Sequence, residues 1–249
     1  MCGCLPTSGT LTAPMIREHF QYRTTITTIL ADEEKYIATA KEAMVDVRSD
    51  LEREILRDPF FKSTYDPYPF PVSSPIAARM VAASEPAGVG PMAAVAGTIA
   101  WYGVEAMRDA GATFAVIDNG GDIALIADRN VTIGIHAGHS PFSGNYAFRI
   151  PPQDTILGIC TSSATVGPSV SFGTADAVTV FSRNVSLADA WATSLCNDFT
   201  ECSDSFFQAR DLREVCGICV IAGDTLCQWG TLPDITRAEV DSSLITAGR

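Results

Sequence analysis

From Pro86 to Val104 the chain carries no charged side chain, and this stretch constrains the fold more than any other. A helix with no polar face has nowhere to meet water, so it lies either in lipid or inside protein. Gly88, Gly90, Gly97 and Gly103, with several alanines between them, make the run too weakly hydrophobic for a membrane span. A buried helix from Met92 to Ala110 is therefore expected, with Pro91 suited to its first turn and Gly111 to its carboxyl cap. Such a helix needs other layers around it. At 249 residues, 47% hydrophobic and 18% charged, the chain has the material. A chain of this length buries roughly three quarters of its unfolded surface in one core, without disulfides or a structural metal.

The surrounding segments suggest how those layers are built. Residues 1–14 are rich in Gly, Ser, Thr, Pro and Cys and read as irregular. Phe20 to Ala31 has strand composition, and Asp32 then stands where a helix amino cap would. From Glu33 to Leu56, Ile37, Ala40, Met44, Val47, Leu51 and Ile55 recur at spacings of three and four, predicting an amphipathic helix that ends before Asp58-Pro59. Pro59 to Pro75 interleaves proline with Phe60, Phe61, Tyr65, Tyr68 and Phe70, so an ordered aromatic loop is expected rather than a linker. Ile76 to Ser84 is compatible with helix or strand. Phe114–Ile117, Asp122–Ala127 and Val131–Ile135 predict an antiparallel meander joined by Asn119-Gly120-Gly121 and Asp128-Arg129-Asn130. Further on, Ala177–Ser182 reads as a strand and Ser186 to about Cys196 as a helix. Val215–Ala222 and Thr225–Trp229 form a hairpin across Gly223-Asp224. Hairpins mixed with two or three long buried helices, without steady strand–helix alternation, point to one α+β domain over residues 1–249 with a mixed, largely antiparallel sheet.

Charge narrows the classes of partner. Seventeen basic against 29 acidic side chains leave a net charge of −12, the wrong sign for a general nucleic-acid surface. An anionic nucleotide stays compatible, because local amides and a metal bind such ligands. No basic segment followed by an apolar one marks a secretory signal at the amino end, which places the protein in the cytoplasm, away from membranes, with its eight cysteines as reduced thiols. The acidic surface marks no specific interface, and a homo-oligomer stays open.

Three segments could carry chemistry. Asn119-Gly120-Gly121-Asp122 is first a tight hairpin turn, and second a place where backbone amides could approach a phosphate or ring. In Ser186-Leu187-Ala188-Asp189-Ala190-Trp191-Ala192-Thr193, Ser186 and Asp189 have capping-box spacing, while Asp189 and Thr193 lie one turn apart as two hard oxygen ligands suited to Mg²⁺. Cys160-Thr161-Ser162-Ser163-Ala164-Thr165 is a hydroxyl cluster after an apolar run, equally able to make local turns. Gly88-Val89-Gly90 is no dinucleotide fingerprint, because the next glycine waits until Gly97. Gly90 nonetheless stands at a helix start whose amides could receive a phosphate.

In sequence order, Gly90 to Gly111, Gly120-Gly121-Asp122-Ile123, Thr161-Ser162-Ser163, Ala177–Val180 and Ala188-Asp189-Ala190-Trp191-Ala192-Thr193 resemble the landmarks of the ApbE superfamily. Its typical members are Mg²⁺-dependent transferases that move FMN from FAD to a protein threonine. The resemblance spans roughly residues 90 to 200 and is closest to a shorter ApbE-like group. It implies an ApbE-like fold and a flavin nucleotide, FAD or a relative, near Gly120, Gly121, Asp122 and Ile123. Thr161 and Ser162 would lie in the same region, with Mg²⁺ on Asp189 and Thr193. The departures are specific. Val95-Ala96-Gly97 stands where the family has Ala-Lys-Gly, Trp101 replaces an aspartate, and Ser169-Val170-Ser171-Phe172-Gly173 replaces a segment with histidine and carboxylate. Asp176 is the nearest substitute base for nucleotidyl transfer.

Two alternatives stand beside this reading. One is a member of the same fold that binds a small molecule without turnover. The other is a thiol or iron–sulfur redox protein using Cys216 and Cys219, with Cys2, Cys4, Cys196 and Cys202 as further thiols, although two residues three apart on a regular strand face opposite sides. His136 and His139 offer an imidazole pair without a third ligand.

Overall fold

The fold was analysed in a computed structural model, which describes residues 15–165, 173–240 and 246. Residues 1–14, with Cys2 and Cys4, residues 166–172, with the departure at Ser169-Val170-Ser171-Phe172, and residues 241–245 and 247–249 lie outside the described residues.

The chain opens with β1 (Ile16–Tyr22) and β2 (Thr25–Ala31), then α1 (Glu34–Arg57), α2 (Phe60–Ser63) and α3 (Pro75–Ala87). The expected strand run from Phe20 to Ala31 is thus two paired strands, reversed at Arg23-Thr24 with Tyr22 opposite Thr25. Arg23 makes the reversal with φ 55°, a turn without the usual glycine or asparagine. Asp32 is not the cap of α1: that position is Glu33, without a side-chain bond, and the Asp32 carboxylate instead pairs with Arg129. The ambiguous segment after Pro75 is the helix α3, capped by the Ser74 hydroxyl on the Ala77 amide. Between α1 and α3, Phe61 is buried against Tyr68 and the buried Glu54 carboxylate accepts from the Ser73 hydroxyl and the Ser73 and Ser74 amides.

A 3₁₀ turn over Pro91–Ala94 leads into α4 (Val95–Asp109), followed by β3 (Phe114–Asn119), β4 (Asp122–Ala127), β5 (Val131–Gly134), β6 (Tyr146–Ile150) and β7 (Gln153–Ser162). Then come β8 (Ala177–Ser182), α5 (Val185–Asp198), α6 (Asp204–Gln208), β9 (Val215–Ala222), β10 (Thr225–Gly230) and β11 (Asp234–Arg237). An eight-stranded sheet has the order β1-β2-β3-β4-β7-β8-β9-β10, and a three-stranded sheet the order β11-β6-β5. Every described ladder is antiparallel.

The expected three-strand meander therefore breaks after β4, whose second neighbour is β7. The reason is visible in the burial of the two strands. From Ile123 onward β4 is buried on both faces, whereas β5 alternates between half-buried and exposed and suits a small outer sheet. The large sheet lies between two apolar layers. One face packs Ile117, Ala124, Ile126, Cys160, Val178 and Val180 against the helices, and the other packs Val116, Ile123, Leu125, Ile159 and Phe181 against the small sheet. No single described helix is long and apolar enough to cross a membrane. α3 together with residues 91–109 passes on composition but bends by 105°.

Candidate functional site

Helix α4 is buried along most of its length, and its first turn is the floor of the site. The amides of Ala96 and Gly97 there have no carbonyl one turn back to bond, and they carry the positive end of the helix dipole. The carboxylate of Asp189, from the middle of α5, takes them: Gly97 N donates to Asp189 Oδ2 at 2.8 Å, and the Ala96 amide donates as well. Asp189 thus caps another helix rather than its own. The amino cap of α5 is Asn184, whose side chain accepts from Leu187 N at 3.1 Å, while Ser186 is buried and receives a 2.7 Å bond from Thr98. The expected capping box is replaced by two contacts between α4 and α5. They require close approach at Gly97, where an added Cβ would stand 2.9 Å from Asp189 Cβ and 3.1 Å from the Val185 carbonyl oxygen.

Strands β3 and β4 supply the next wall. Gly120 and Gly121 have φ of 72° and 105°, so the two-residue turn between paired Asn119 and Asp122 needs glycine at both places. The amide of Gly121 is taken by Asp118 Oδ1 at 2.8 Å, and Gly120 is exposed with open space around it. Asn119 Nδ2 donates to the Ala96 carbonyl at 3.0 Å, locking the turn to the start of α4. Asp122 lies on the helix side of β4, the side of Ala124 and Ile126, and opposite Cys160 of β7. Its carboxyl accepts from the Thr161 amide and lies beside the Cys160 thiol, which donates to the Val185 carbonyl oxygen at 3.6 Å.

A buried carboxyl group, that of Asp189, and a half-buried one, that of Asp122, therefore meet beside the end of α4. Burial raises Asp189 to about 7 against the pull of its two amide donors. Burial first, then the charges of Asp189 and Asp118, push Asp122 well above the carboxylate range, with the Thr161 amide and Cys160 thiol opposing. The same burial and the same two carboxylates push the Cys160 thiol up, so it is a poor nucleophile.

The remaining expected positions divide. Thr161 reaches this corner with its amide only; its hydroxyl bonds Thr179 at 2.9 Å on the opposite sheet face. Ile123 also turns away, into the core beneath the small sheet. Ser162 is half-buried at the end of β7, and Thr193 is half-buried one turn beyond Asp189. The amide of Gly90 is engaged by the Tyr65 carbonyl at 2.7 Å, and a Cβ there would meet Thr64 O at 2.1 Å, so Gly90 serves packing rather than a ligand. Asp176 stays outside the corner. It lies four residues before Val180, the β8 partner of Cys160, hence about 13 Å along the strand. Its two oxygens accept from Thr165 Oγ1 at 2.9 Å and Gly223 N at 2.8 Å.

The cysteines correct another expectation. Cys202 and Cys227 form a disulfide, so not all eight thiols are free. Cys216 is exposed and Cys219 buried on the same strand, on opposite faces as the strand geometry requires. Among the described residues no three acidic, thiol or imidazole side chains stand close enough to hold a metal ion by themselves.

A family model described as AbpE bacteria matches residues 10–212. The chain belongs to that family. Its relatives include the UPF0280 protein of Methanosphaerula palustris, 58% identical over 94% of this chain and 99% of the relative, and that of Methanoculleus marisnigri, 57% identical over 94% and 96%. Among solved structures the AbpE-family chain is similar to a mutant flavin transferase ApbE from Vibrio cholerae, with a TM-score of 0.53, 12% identity and coverage of 87% of this chain and 97% of that one. The apo flavinyl transferase ApbE of Pseudomonas stutzeri gives a TM-score of 0.54 at 11% identity, covering 95% and 98%. At such identities the likeness establishes an ApbE-like fold.

Asn119 and Cys160 stand in two of the segments singled out on sequence, but their own parts in the site were not legible there. Each becomes relevant only through a partner fixed by the fold, Cys160 by standing opposite Asp122 and Asn119 by bonding Ala96.

Proposed function

We propose that this chain binds a flavin nucleotide, with Mg²⁺, at the corner formed by the first turn of α4, the β3–β4 turn and α5. The observation that carries the reading is the meeting of Asp122 and Asp189 beside the amino end of α4, with a cavity of about 480 Å³ lined by Ala96 of that turn and by Asn119 at the end of β3. The residues present fit a hard cation. The groups that act most on the two carboxyls are amides, a thiol and other carboxyls, Asp118 included, with no basic side chain among them. Two or three side-chain oxygens are what Mg²⁺ takes when water and a nucleotide's own phosphates complete its shell. Asp189 and Thr193 would hold the ion, and it would supply positive charge to the phosphate oxygens.

Transfer of FMN or another nucleotidyl group at the same corner is the second reading. It requires a base, and the sequence candidate Asp176 lies along the strand with both oxygens engaged, which favours binding without turnover. Titration of metal-stripped protein with FAD, with and without Mg²⁺, tests the proposal. Saturable Mg²⁺-dependent quenching of flavin fluorescence that Asp189→Ala and Thr193→Ala weaken supports it. Absence of binding to folded wild-type protein refutes it.

A further inference from the structure

The cavity beside this corner has a character that the chain as a whole does not predict. It lies between the β1–β2 turn, α1 and the start of α4, and three of its lining side chains are basic: Arg23, Arg48 and Lys62. Glu52 is the one acidic residue on its wall, so the lining carries a local excess of positive charge on a chain of net charge −12. Part of the lining is an apolar wall, with Ile55, Met92 and Ile99. Its volume, about 480 Å³, is that of a site for a small organic ligand.

The bonding of the three cations is uneven. Arg23 pairs with Glu52 at the mouth. Arg48 is mostly buried, its side chain 14% exposed; Nη2 donates to Thr24 Oγ1 at 3.1 Å, and the nearest charge to Nε is Glu52 Oε1 at 3.6 Å. That separation is beyond a hydrogen bond, and the buried Nε–H has no acceptor. Arg48 lines the cavity, and a planar oxyanion is the partner that a guanidinium fork matches best. The Lys62 side chain is exposed and makes no hydrogen bond or ion pair among the described residues, while its amide donates to the Pro59 carbonyl at 3.2 Å. Ala96 of the first turn of α4 lines the same cavity, and the positive charge in this space comes from α1, α2 and the β1–β2 turn.

We propose that the cavity is an oxyanion site in which Arg48, Arg23 and Lys62 bind the phosphate groups of a nucleotide, with a ring of that ligand against the apolar wall. The inference rests on the nucleotide reading for the identity of the ligand, and on the cavity alone for its anion chemistry. Charge-assisted bonds of this kind weaken as salt rises, more so toward the open rim.

The test uses inorganic pyrophosphate, without Mg²⁺, titrated calorimetrically into full-length protein, and FAD with Mg²⁺ in parallel. Wild-type protein should bind pyrophosphate in a salt-sensitive manner. Arg48→Gln should weaken this by roughly tenfold or more, the loss of a charge-assisted hydrogen bond. Lys62→Gln and Arg23→Gln, both at exposed positions and safe for folding, should each weaken it by a smaller factor. Folded wild-type protein that does not bind pyrophosphate overturns the inference, as does FAD binding that is insensitive to all three basic substitutions. Pyrophosphate binding that depends on Arg48, in protein that does not bind FAD, upholds the anion site while removing the flavin reading.

Discussion

Replacing Gly97 with alanine tests the packing on which the site is built. In an ordinary helix interior Gly→Ala is stabilising by up to about 1 kcal/mol, because alanine loses less backbone freedom on folding. At Gly97 the new methyl would sit 2.9 Å from Asp189 Cβ, 3.1 Å from the Val185 carbonyl oxygen and 3.2 Å from Asp189 Oδ2. The first two atoms belong to, or are one bond from, the backbone of α5, so no rotamer change removes them. α5 must retreat from α4 by a few tenths of an ångström, against a first turn that is itself pressed onto β7 at Gly158, whose Cβ would meet Val185 Cα at 2.8 Å. Overpacking of this kind costs about 1–3 kcal/mol, which outweighs the helix-propensity gain. The expected net loss is about 1–2 kcal/mol, or a fall in Tm of roughly 2–8 °C at this chain length.

Gly103→Ala, two turns further along α4, is the control. There the methyl meets the Cδ1 end of Ile117 at 2.4 Å and Met44 Cγ at 3.3 Å, both on flexible side chains that can rotate away. Thermal melts followed by circular dichroism, with urea titrations for ΔG, should show Gly97→Ala clearly less stable than Gly103→Ala. A Gly97→Ala protein that melts at or above the wild-type temperature would refute the argument that α5 is pinned by this contact.

Other consequences follow from buried polar groups and the crosslink. Burial alone would raise Glu54, but the bonds from the Ser73 hydroxyl and amide, the charge of Arg57 and the Ser74 amide hold it below its ordinary value. Its contribution is therefore present above about pH 4.5 and lost as pH falls below that value, and Glu54→Gln, checked by urea unfolding at pH 7, should cost about 2–3 kcal/mol through lost charge-assisted bonds. Asp122 and Asp189 have the opposite sign. Held above their unfolded values, they favour the folded state least when ionised, so in metal-free protein their contribution declines as pH rises from about 4 through 7. Asp122→Asn should flatten that part of a pH series of melts, and an unchanged slope would contradict the assigned burial. The Cys202–Cys227 link closes a span of 25 residues, so by loop entropy Cys202→Ser should destabilise by about 3 kcal/mol, measured against oxidised wild-type protein in denaturant.

How far the sequence foretold this structure depends on how far apart the interacting groups lie. The uncharged Gly/Ala run did become a buried helix, and the glycine pair at Gly120-Gly121 did become a two-residue turn, because both are decided within a few residues. Strand neighbours were legible only where a hairpin joins them. The partner of β4 is β7, some thirty residues on, and what distinguishes the false neighbour β5 is a subtler feature, its alternation between half-buried and exposed positions. The reversal at Arg23-Thr24 escaped because it uses neither glycine nor asparagine.

Asp189 illustrates the limit most clearly. Its spacing from Ser186 fits a cap on its own helix, yet the amides it bonds are those of Ala96 and Gly97, with Gly97 92 residues away. A carboxylate at the positive end of a helix looks alike in sequence whether the helix is its own or a neighbour's, and only packing decides. The glycines were the available clue. Gly97 and Gly158 come from distant segments, and an added Cβ at either would strike α5 at Val185. Their absent side chains let α5 close onto both the sheet and α4, which brings Asp189 to the amino end of α4 beside Asp122.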